Sequence, residues 1–271
     1  MQPNWHYMMN ISILQHDILW ASTAENLSRL DKLVDRQPQA DVYVLTEMFT
    51  TGFATSNADE VSKDSQLAVE WLKRKARERN AAFAASIAVE DSGKYYNRLF
   101  FVKPDGDITI YNKRHLFAYG GEDKMFTAGE ERAVVDFRGV RFLLLVCFDL
   151  RFPVWSRYHD DYDAIIYVAN WPTCRIDSWD VLLRARAIEN QCFVIGVNRV
   201  GSDPSNDYCG NSVVINPYGQ SIAACTPDEE CGAIAELNLD EMRSYREKFP
   251  IHTDFSPTFP RITQKEPKPL C

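Results

Sequence analysis

The chain has 271 residues, of which 45% are hydrophobic and 25% charged, and its formal net charge at pH 7 is −8. This composition is typical of a globular protein, and the acidic balance argues against binding of nucleic acid or anionic lipid, because both need a basic surface. The longest apolar run, FLLLVCF at residues 142–148, is much shorter than the ~20 residues of a membrane span.

In the first half of the chain, apolar segments of strand length alternate with segments of helical pattern. Residues 24–36 repeat apolar side chains at helical spacing, and residues 65–80 carry Leu67, Trp71 and Leu72 on one face, so we predict a helix in each segment. Turn residues at 104–106 and 138–139 each predict a β-hairpin. The strands predicted in this half are residues 9–18, 41–45, 81–89, 95–102 and 107–111, with two more inside residues 134–146.

The second half resembles the first in the order of its elements. Helices are predicted over residues 178–191, with Ser178 as the N-cap, and over residues 239–248. From residue 249 the sequence is rich in proline and has no periodicity, so we predict an irregular segment, 249–271, that packs on a neighbouring surface such as a partner subunit. The strands predicted in this half are residues 164–169, 192–200 and 232–239, with a hairpin over residues 211–226.

The arrangement of these elements predicts the fold class. No linker rich in glycine, serine or proline separates the two halves, so we predict a single domain over residues 1–271. Segments such as 142–146 and 164–168 are apolar at every position, which requires burial of both faces of the strand. We therefore predict an α/β fold with four layers, α-β-β-α, in which helices cover two facing sheets. A single doubly wound sheet is the alternative, although hairpins fit it less well.

The cysteines indicate the redox environment of the protein. All seven are scattered, without paired spacing, at positions 147, 174, 192, 209, 225, 231 and 271. An odd and scattered set favours free thiols over a disulfide framework. The N-terminal residues, MQPNWHYMMN, also lack the basic and apolar regions of a secretory signal. We therefore expect a cytoplasmic protein, because that compartment keeps thiols reduced.

Chemically active side chains follow three of the predicted strands. Glu47, Lys113 and Cys147 each come at, or within a few residues of, a strand end, where ligands of α/β sheets bind. A glutamate can accept the proton of a cysteine nucleophile and a lysine can stabilise an oxyanion, so the three suffice for acyl transfer through a thioester. Taken singly, each also fits a structural role: a solvated or capping glutamate, a surface lysine and an inert core cysteine.

Several longer segments resemble the nitrilase, or carbon–nitrogen hydrolase, superfamily. They are TEMF, YNKRHLF, VCFDLRFP, YVANWP, RARAIENQ and GNSVVINPYG, which occur in the family's order between residues 10 and 242. The resemblance implies the α-β-β-α sandwich, with Glu47 as general base, Lys113 as oxyanion stabiliser and Cys147 as nucleophile. It also implies that Glu122, in GGEDK, positions Lys113 and the substrate, and that the backbone N–H of Phe148 completes the oxyanion hole.

Within the superfamily, VCFDLRFPVWSR and ANWP most resemble the ω-amidase branch, which hydrolyses 2-oxoglutaramate and related monoamides of dicarboxylic acids. Trp171 is a candidate for the pocket wall, although a role in the core is also open. Arg175 is a candidate for binding the distal carboxylate, because arginine offers two parallel donors. Arg151 is a second candidate, with a structural ion pair as its alternative. His115, next to the lysine motif, is expected to be a structural neighbour.

The sequence leaves other functions open. The resemblance also fits a nitrilase, an N-carbamoyl-amide hydrolase or an amidase acting on deaminated glutathione, and a non-catalytic binding protein can share the fold. No glycine-rich phosphate loop or metal-ligand spacing occurs, so we expect no cofactor and no metal. We expect a small-molecule amide substrate, no nucleic-acid or membrane partner, and a homodimer, which the resemblance implies through helices in SRYHDDY and SWDVLLRARAIENQ.

Overall fold

The computed structural model describes residues 8–254, so the N-terminal residues, the predicted irregular segment beyond residue 254 and Cys271 lie outside the described part. The helices are α1 (Thr23–Asp35), α2 (Ala58–Val61), α3 (Ser65–Arg79), α4 (Ile176–Asn190) and α5 (Leu239–Lys248). The strands are β1 (Met8–Gln15), β2 (Val42–Val44), β3 (Ala82–Asp91), β4 (Lys94–Val102), β5 (Ile108–Asn112), β6 (Ala133–Phe137), β7 (Val140–Val146), β8 (Ala164–Ala169), β9 (Phe193–Asn198), β10 (Val200–Ser202), β11 (Asp207–Cys209), β12 (Val213–Ile215), β13 (Ser221–Ala224) and β14 (Cys231–Asn238).

Within residues 8–254, the strands form two six-stranded sheets of matching topology. The first sheet has the order β14-β1-β2-β3-β4-β5 and the second the order β13-β12-β9-β8-β7-β6. The central strands β1, β2 and β3 run parallel, as do β7, β8 and β9, whereas the outer pairs are antiparallel. Strands β10 and β11 form a small separate hairpin. The sequence predicts one strand over residues 192–200, whereas the structure divides this segment between β9 and the start of β10.

Both faces of the central strands are buried, as their continuous apolar sequence predicts. On β2, Val42 and Val44 belong to a core cluster that both sheets share, whereas Tyr43 packs with the buried faces of α1 and α3. Helix α4 covers the second sheet so closely that a Cβ at Gly196 of β9 would lie 2.5 Å from Leu183 Cδ1. The layers are therefore helix, sheet, sheet and helix, which confirms the predicted sandwich over a doubly wound sheet.

Some local predictions are wrong. Helix α4 begins at Ile176 rather than at residue 178, because a 3₁₀ turn over residues 173–175 leads directly into it. Ser178 is therefore not the N-cap, and its hydroxyl donates to the carbonyl oxygen of Arg175 at 2.7 Å. Leu67 of α3 is 48% exposed, because the buried stripe of this helix lies on the adjacent face. That stripe comprises Ala68, Trp71, Leu72, Lys75 and Ala76.

The segments at the edges of the predicted elements also differ from expectation. Residues 152–163, which include SRYHDDY, connect to β8 without an α-helix. Residues 251–254, inside the segment predicted to be irregular, form a 3₁₀ turn. None of the helices between residues 8 and 254 combines the length and apolar content needed to cross a bilayer.

Candidate active site

Strand ends from both sheets meet at one site. Glu47 follows β2 and Lys113 follows β5 in the first sheet, whereas Cys147 directly follows β7 in the second. Asn170, at the end of β8, joins the two sides. Its backbone N–H donates to Glu47 Oε2 at 2.8 Å, and its carbonyl oxygen lies 4.0 Å from Cys147 Sγ. The structure thus brings together the three residues that the sequence places at strand ends.

Lys113 is buried between two carboxylates. Its Nζ donates to Glu47 Oε1 at 2.9 Å and to the Glu122 oxygens at 2.9 and 3.1 Å. The side-chain exposure of all three residues is 0%, so the charged groups contact each other rather than water. Glu122 also accepts a hydrogen bond of 2.7 Å from the backbone N–H of Phe117. Glu122 therefore lies in direct contact with Lys113, the residue that the family resemblance implies it positions.

Sequence reasoning missed Asn97 on β4, which completes this buried cluster. Its Nδ2 donates to Glu47 Oε1 at 2.7 Å and to Glu122 Oε1 at 3.0 Å. Along the strand, Asn97 shares one face with Leu99 and Phe101, which are buried in the core between the sheets. A polar residue at an inward position of an apolar strand is the signal that points to such a role.

Burial and charge set the protonation of the cluster. Burial disfavours the charge on Lys113, but the two glutamates outweigh it and raise the pKa of the ammonium. Burial raises the pKa of Glu122, with Glu47 adding to the effect and Lys113 opposing it. Burial and the charge of Glu47 also raise the pKa of the Cys147 thiol well above its usual value, against the influence of Lys113. The resting thiol is therefore neutral and needs a base to become a nucleophile.

Cys147 stands on a tight turn at the end of β7. Its φ of 45° lies in the left-handed region, which is strained for a residue with a side chain. The buried carboxylate of Asp149 holds this turn by accepting hydrogen bonds from the Val146 N–H at 3.0 Å and the Tyr111 hydroxyl at 2.8 Å. It also contacts the backbone N–H of His115 at 3.0 Å and the His115 ring Nδ1 at 2.8 Å. His115 is thus bonded to Asp149, which holds the turn, rather than to the thiol.

A pocket opens from the thiol toward solvent. Its wall is aromatic and amide-bearing, and its charged side chains are two arginines; no acid lines it among residues 8–254. The lining residues are Phe53, Phe117, Cys147, Phe148, Arg151, Asn170, Trp171, Pro172, Arg175, Asn206 and Tyr208.

The aromatic residues predicted near the nucleophile lie in this wall. The ring of Phe148 packs against that of Phe117, with 5.0 Å between the centroids. Trp171 is buried and lines the pocket, so it belongs to the core and to the wall at once. The Trp171 indole N–H donates to the Arg175 carbonyl at 2.8 Å, which ties the wall to the turn before α4.

The two arginines lie over the aromatic rings. Arg151 is 4.9 Å from the centroid of Trp171 and donates to the Ser178 hydroxyl at 2.9 Å. The Arg175 guanidinium is 5.4 Å from the centroid of Phe117. Among residues 8–254, the side chains of Arg151 and Arg175 contact these rings and the Ser178 hydroxyl and form no ion pair with an acid. The turn that begins at Cys147 ends at Arg151 and places this arginine in the lining of the pocket.

The hairpin of β10 and β11 contributes to the pocket, which sequence reasoning missed. Asn206, in its connection, and Tyr208, on β11, both line the pocket. The Tyr208 hydroxyl donates to Asp203 Oδ2 at 2.6 Å, and the Arg199 guanidinium lies 4.6 Å from its ring centroid. No motif marks this hairpin, because its strands are only three residues long.

The thiols of the described residues are neither paired with each other nor part of a metal site. All six cysteines between residues 8 and 254 are free, including Cys147. Within that range, no three His, Cys, Asp or Glu side chains are grouped so that they could hold a metal ion.

A four-layer sandwich whose strand ends carry a buried glutamate, lysine and cysteine is the arrangement that the resemblance to the carbon–nitrogen hydrolases implies. The carbon-nitrogen hydrolase family model matches residues 10–247, and the chain belongs to this family. It is 44% identical over 248 residues to the omega-amidase YafV of Escherichia coli K12, covering 91% of this chain and 96% of that protein. It is 38% identical over 251 residues to the 2-oxoglutaramate amidase of Bacillus subtilis, covering 90% of this chain and 96% of that protein.

Solved structures share the fold. A CN-hydrolase superfamily protein from Xanthomonas campestris, with an arsenic adduct in its active site, superposes with a TM-score of 0.89 at 35% identity, covering 93% of this chain and 99% of that one. A nitrilase-superfamily protein from Saccharomyces cerevisiae superposes with a TM-score of 0.82 at 24% identity, covering 90% and 95% of the two chains. The second likeness concerns the fold alone.

We expect Asp149→Ala to destabilise the protein by about 3 kcal/mol, because the donors of Val146, Tyr111 and His115 lose their buried acceptor. Urea denaturation measures the loss, and activity falls with it because the turn that carries Cys147 loosens. The control is Asp107→Ala, which removes an exposed carboxylate beside Lys103 and should change stability little. Equal midpoints for the two variants would contradict the role given to Asp149.

Proposed function

We propose that the chain is an ω-amidase, which hydrolyses the terminal amide of a small dicarboxylic monoamide such as 2-oxoglutaramate to the acid and ammonia. The observation that carries the proposal is the buried cluster of Glu47, Lys113 and Cys147 beneath a pocket whose charged lining side chains are arginines. The relatives named as omega-amidase and 2-oxoglutaramate amidase, matched over at least 90% of the chain, support the choice of substrate.

In the proposed mechanism, Cys147 attacks the amide carbon while Glu47 accepts the thiol proton. As the carbon–sulfur bond forms, the carbonyl π electrons move to oxygen, where Lys113 and the backbone N–H of Phe148 stabilise the negative charge. Collapse of this intermediate breaks the carbon–nitrogen bond, and Glu47 returns the proton to nitrogen, so ammonia leaves and a thioester remains. Glu47 then takes a proton from water, hydroxide attacks the thioester, and the sulfur recovers the proton as the acid departs.

The hydrogen bonds of Glu47 support its role as the base. Its Oε1 accepts from Asn97 and Lys113, whereas Oε2 accepts the backbone N–H of Asn170. A carboxylate oxygen has two lone pairs, so Oε2 retains capacity for a proton. Because the Cys147 thiol is neutral at rest, its proton has to leave sulfur as the thiol attacks, and the carboxylate of Glu47 is the acceptor.

The two arginines support a substrate with a distal carboxylate. Arg151 and Arg175 both line the pocket that opens from Cys147, and neither has an anionic partner within residues 8–254. A guanidinium binds a carboxylate through two parallel hydrogen bonds, which fixes its orientation as well as its position. We infer that both contact the substrate carboxylate, with the ring of Trp171 holding Arg151 in place.

The surface of α4 supports a homodimer. On its outer side, Val181 is 65% and Ile188 46% exposed, although the opposite side is already buried against β9. A helix that is apolar on both sides is typical of one covered on both sides, and we propose that a second copy of the chain covers it. The free cysteines support a reducing compartment, and we propose the cytoplasm.

The proposed function predicts that Cys147→Ala lowers ammonia release from 2-oxoglutaramate by more than about a thousandfold while the protein stays folded. The measurement is ammonia release from a panel of 2-oxoglutaramate, succinamate, a nitrile and an N-carbamoyl compound, on wild type and variant together. Cys192→Ala, which removes another buried thiol, is the control and should remain active. Nitrile turnover above that of 2-oxoglutaramate, or full activity of Cys147→Ala, would contradict the proposal.

A second prediction concerns the pocket arginines. We expect Arg151→Met and Arg175→Met each to raise KM for an anionic monoamide by about tenfold or more, because a charge-assisted hydrogen bond is lost. KM for a neutral amide of similar length, such as butyramide, should change little. Arg77→Met, at an exposed arginine of α3, is the control. A similar loss on both amides would assign these arginines to the structure of the pocket instead.

A third prediction tests the dimer. We expect Val181→Glu combined with Ile188→Glu to convert a dimer into a monomer, because the introduced charges would be buried without partners at the interface. Light scattering after gel filtration measures the mass of the particle. Leu67→Glu, which changes a similarly exposed apolar residue on the outer helix of the other sheet, should leave the dimer intact. A wild-type monomer would remove the dimer from the proposal.

A further inference from the structure

Asn97 is bonded to all three charged residues of the buried cluster. Its Nδ2 donates to Glu47 Oε1 at 2.7 Å and to Glu122 Oε1 at 3.0 Å, and its backbone oxygen accepts from the backbone N–H of Lys113 at 2.9 Å. The pairing of β4 with β5 sets the backbone contact, because Arg98 and Asn112 are register partners. The side chain of Asn97 therefore bridges two carboxylates from elsewhere in the chain, and its strand locates the lysine.

The orientation of the Asn97 amide is set by these donations. Turning it over would place Oδ1 against the carboxylate oxygens of Glu47 and Glu122, which only accept hydrogen bonds when ionised. In the observed orientation, Oδ1 is buried and has no hydrogen-bond partner among residues 8–254. An unpaired buried acceptor is unfavourable for stability. An apolar side chain here would avoid this unpaired oxygen but would also remove the donor. The presence of asparagine therefore indicates that the two carboxylates require the donor group.

The cluster needs a neutral donor because its charges do not balance. One ammonium, that of Lys113, faces two carboxylates that are both fully buried. Among the described residues, two other titratable groups act on these carboxylates: the Cys147 thiol on both, and the Tyr208 phenol on Glu47. Burial raises the pKa of each group, so neither adds a balancing charge. The remaining donors to the carboxylates are the backbone N–H groups of Asn170 and Phe117. Besides Lys113 and the Cys147 thiol, which bonds to Glu47, the amide of Asn97 is the side-chain donor to these carboxylates among the described residues, and it donates to both.

We propose that Asn97 is a positioning residue that keeps Glu47 and Glu122 ionised and holds them around Lys113, so that Glu47 stands ready to accept the thiol proton. This inference rests on the proposed function, in which Glu47 is the base. Asn97 is not among the residues that line the pocket at Cys147; it acts through the two carboxylates. Its loss should therefore change the pH dependence of the reaction rather than the binding of substrate.

The test compares Asn97→Leu, which keeps the number and branching of the side-chain heavy atoms and removes the donor, with Asn97→Asp, which keeps the shape and replaces the donor by an acceptor. The acid limb of the kcat/KM profile reports protonation of the two carboxylates as a pair. Removing a donor to their ionised forms favours protonation, so the limb should move up by about one to two pH units in Asn97→Leu. KM should stay within about twofold of wild type, because the pocket is unchanged.

Several readouts separate this role from packing. Activity lost in Asn97→Leu at neutral pH should be largely recovered above the shifted limb, whereas a loss that is the same at every pH would overturn the proposal. Asn97→Asp should shift the limb further, because a third acid enters the cluster; a wild-type profile in this variant would also overturn it. If Asn97→Leu fails to fold, the near-isosteric Asn97→Asp decides the question alone. Asn190→Ala removes a buried asparagine with two hydrogen bonds outside the cluster, and its profile should be unshifted.

Failure of the inference is distinguishable from failure of the proposed function. An inactive Cys147→Ala together with unshifted Asn97 variants rejects only the role of Asn97. An active Cys147→Ala rejects the function on which the inference rests.

Discussion

The burial of one ammonium between two carboxylates is the interaction on which the rest of the site depends. Removing Lys113, Glu47 and Glu122 from water costs several kcal/mol for each charge unless every lone pair and proton finds a partner. The partners come from separate elements: Asn97 from β4, Asn170 from the end of β8, and the backbone of the loop at Phe117. The charges are therefore satisfied only when both sheets are in place, so the fold and the cluster require each other.

The two sheets divide the chemistry between them. The first sheet carries the charges and the second carries the thiol, on a turn whose φ of 45° is strained. Asp149 holds that turn through four polar contacts, and Asn170, which follows the neighbouring strand β8, contacts both the sulfur and the carboxylate of Glu47. A cysteine within a regular strand would follow the alternation of the strand and point into one face of the sheet. The tight turn instead presents it at the carboxyl end of β7, beside the residues of the other sheet.

The amino-acid sequence predicts the parts of this arrangement that depend on local patterns. Periodicity predicts most of the strands and helices, and the positions of Glu47, Lys113 and Cys147 near strand ends mark them as one set. Asn97 and Asp149 escape such reasoning because most of their partners are remote in the chain, and a lone polar residue in an apolar segment has many possible explanations. The predictions for Ser178 and Leu67 are wrong for a different reason: a short turn before α4 and the rotation of α3 about its axis decide them, and both depend on tertiary packing.

The distribution of charge along the pocket has a consequence for both binding and release under the proposed function. The interior holds two carboxylates and one ammonium, whereas the mouth holds Arg151 and Arg175. A monoamide entering with its carboxylate first would meet repulsion from Glu47 and Glu122, so the neutral amide is directed to Cys147 and the carboxylate to the arginines. Hydrolysis then turns the amide into a second carboxylate beside the glutamates. The same cluster that accepts the neutral amide repels the new carboxylate, which favours departure of the product and keeps the site from being occupied by what it makes.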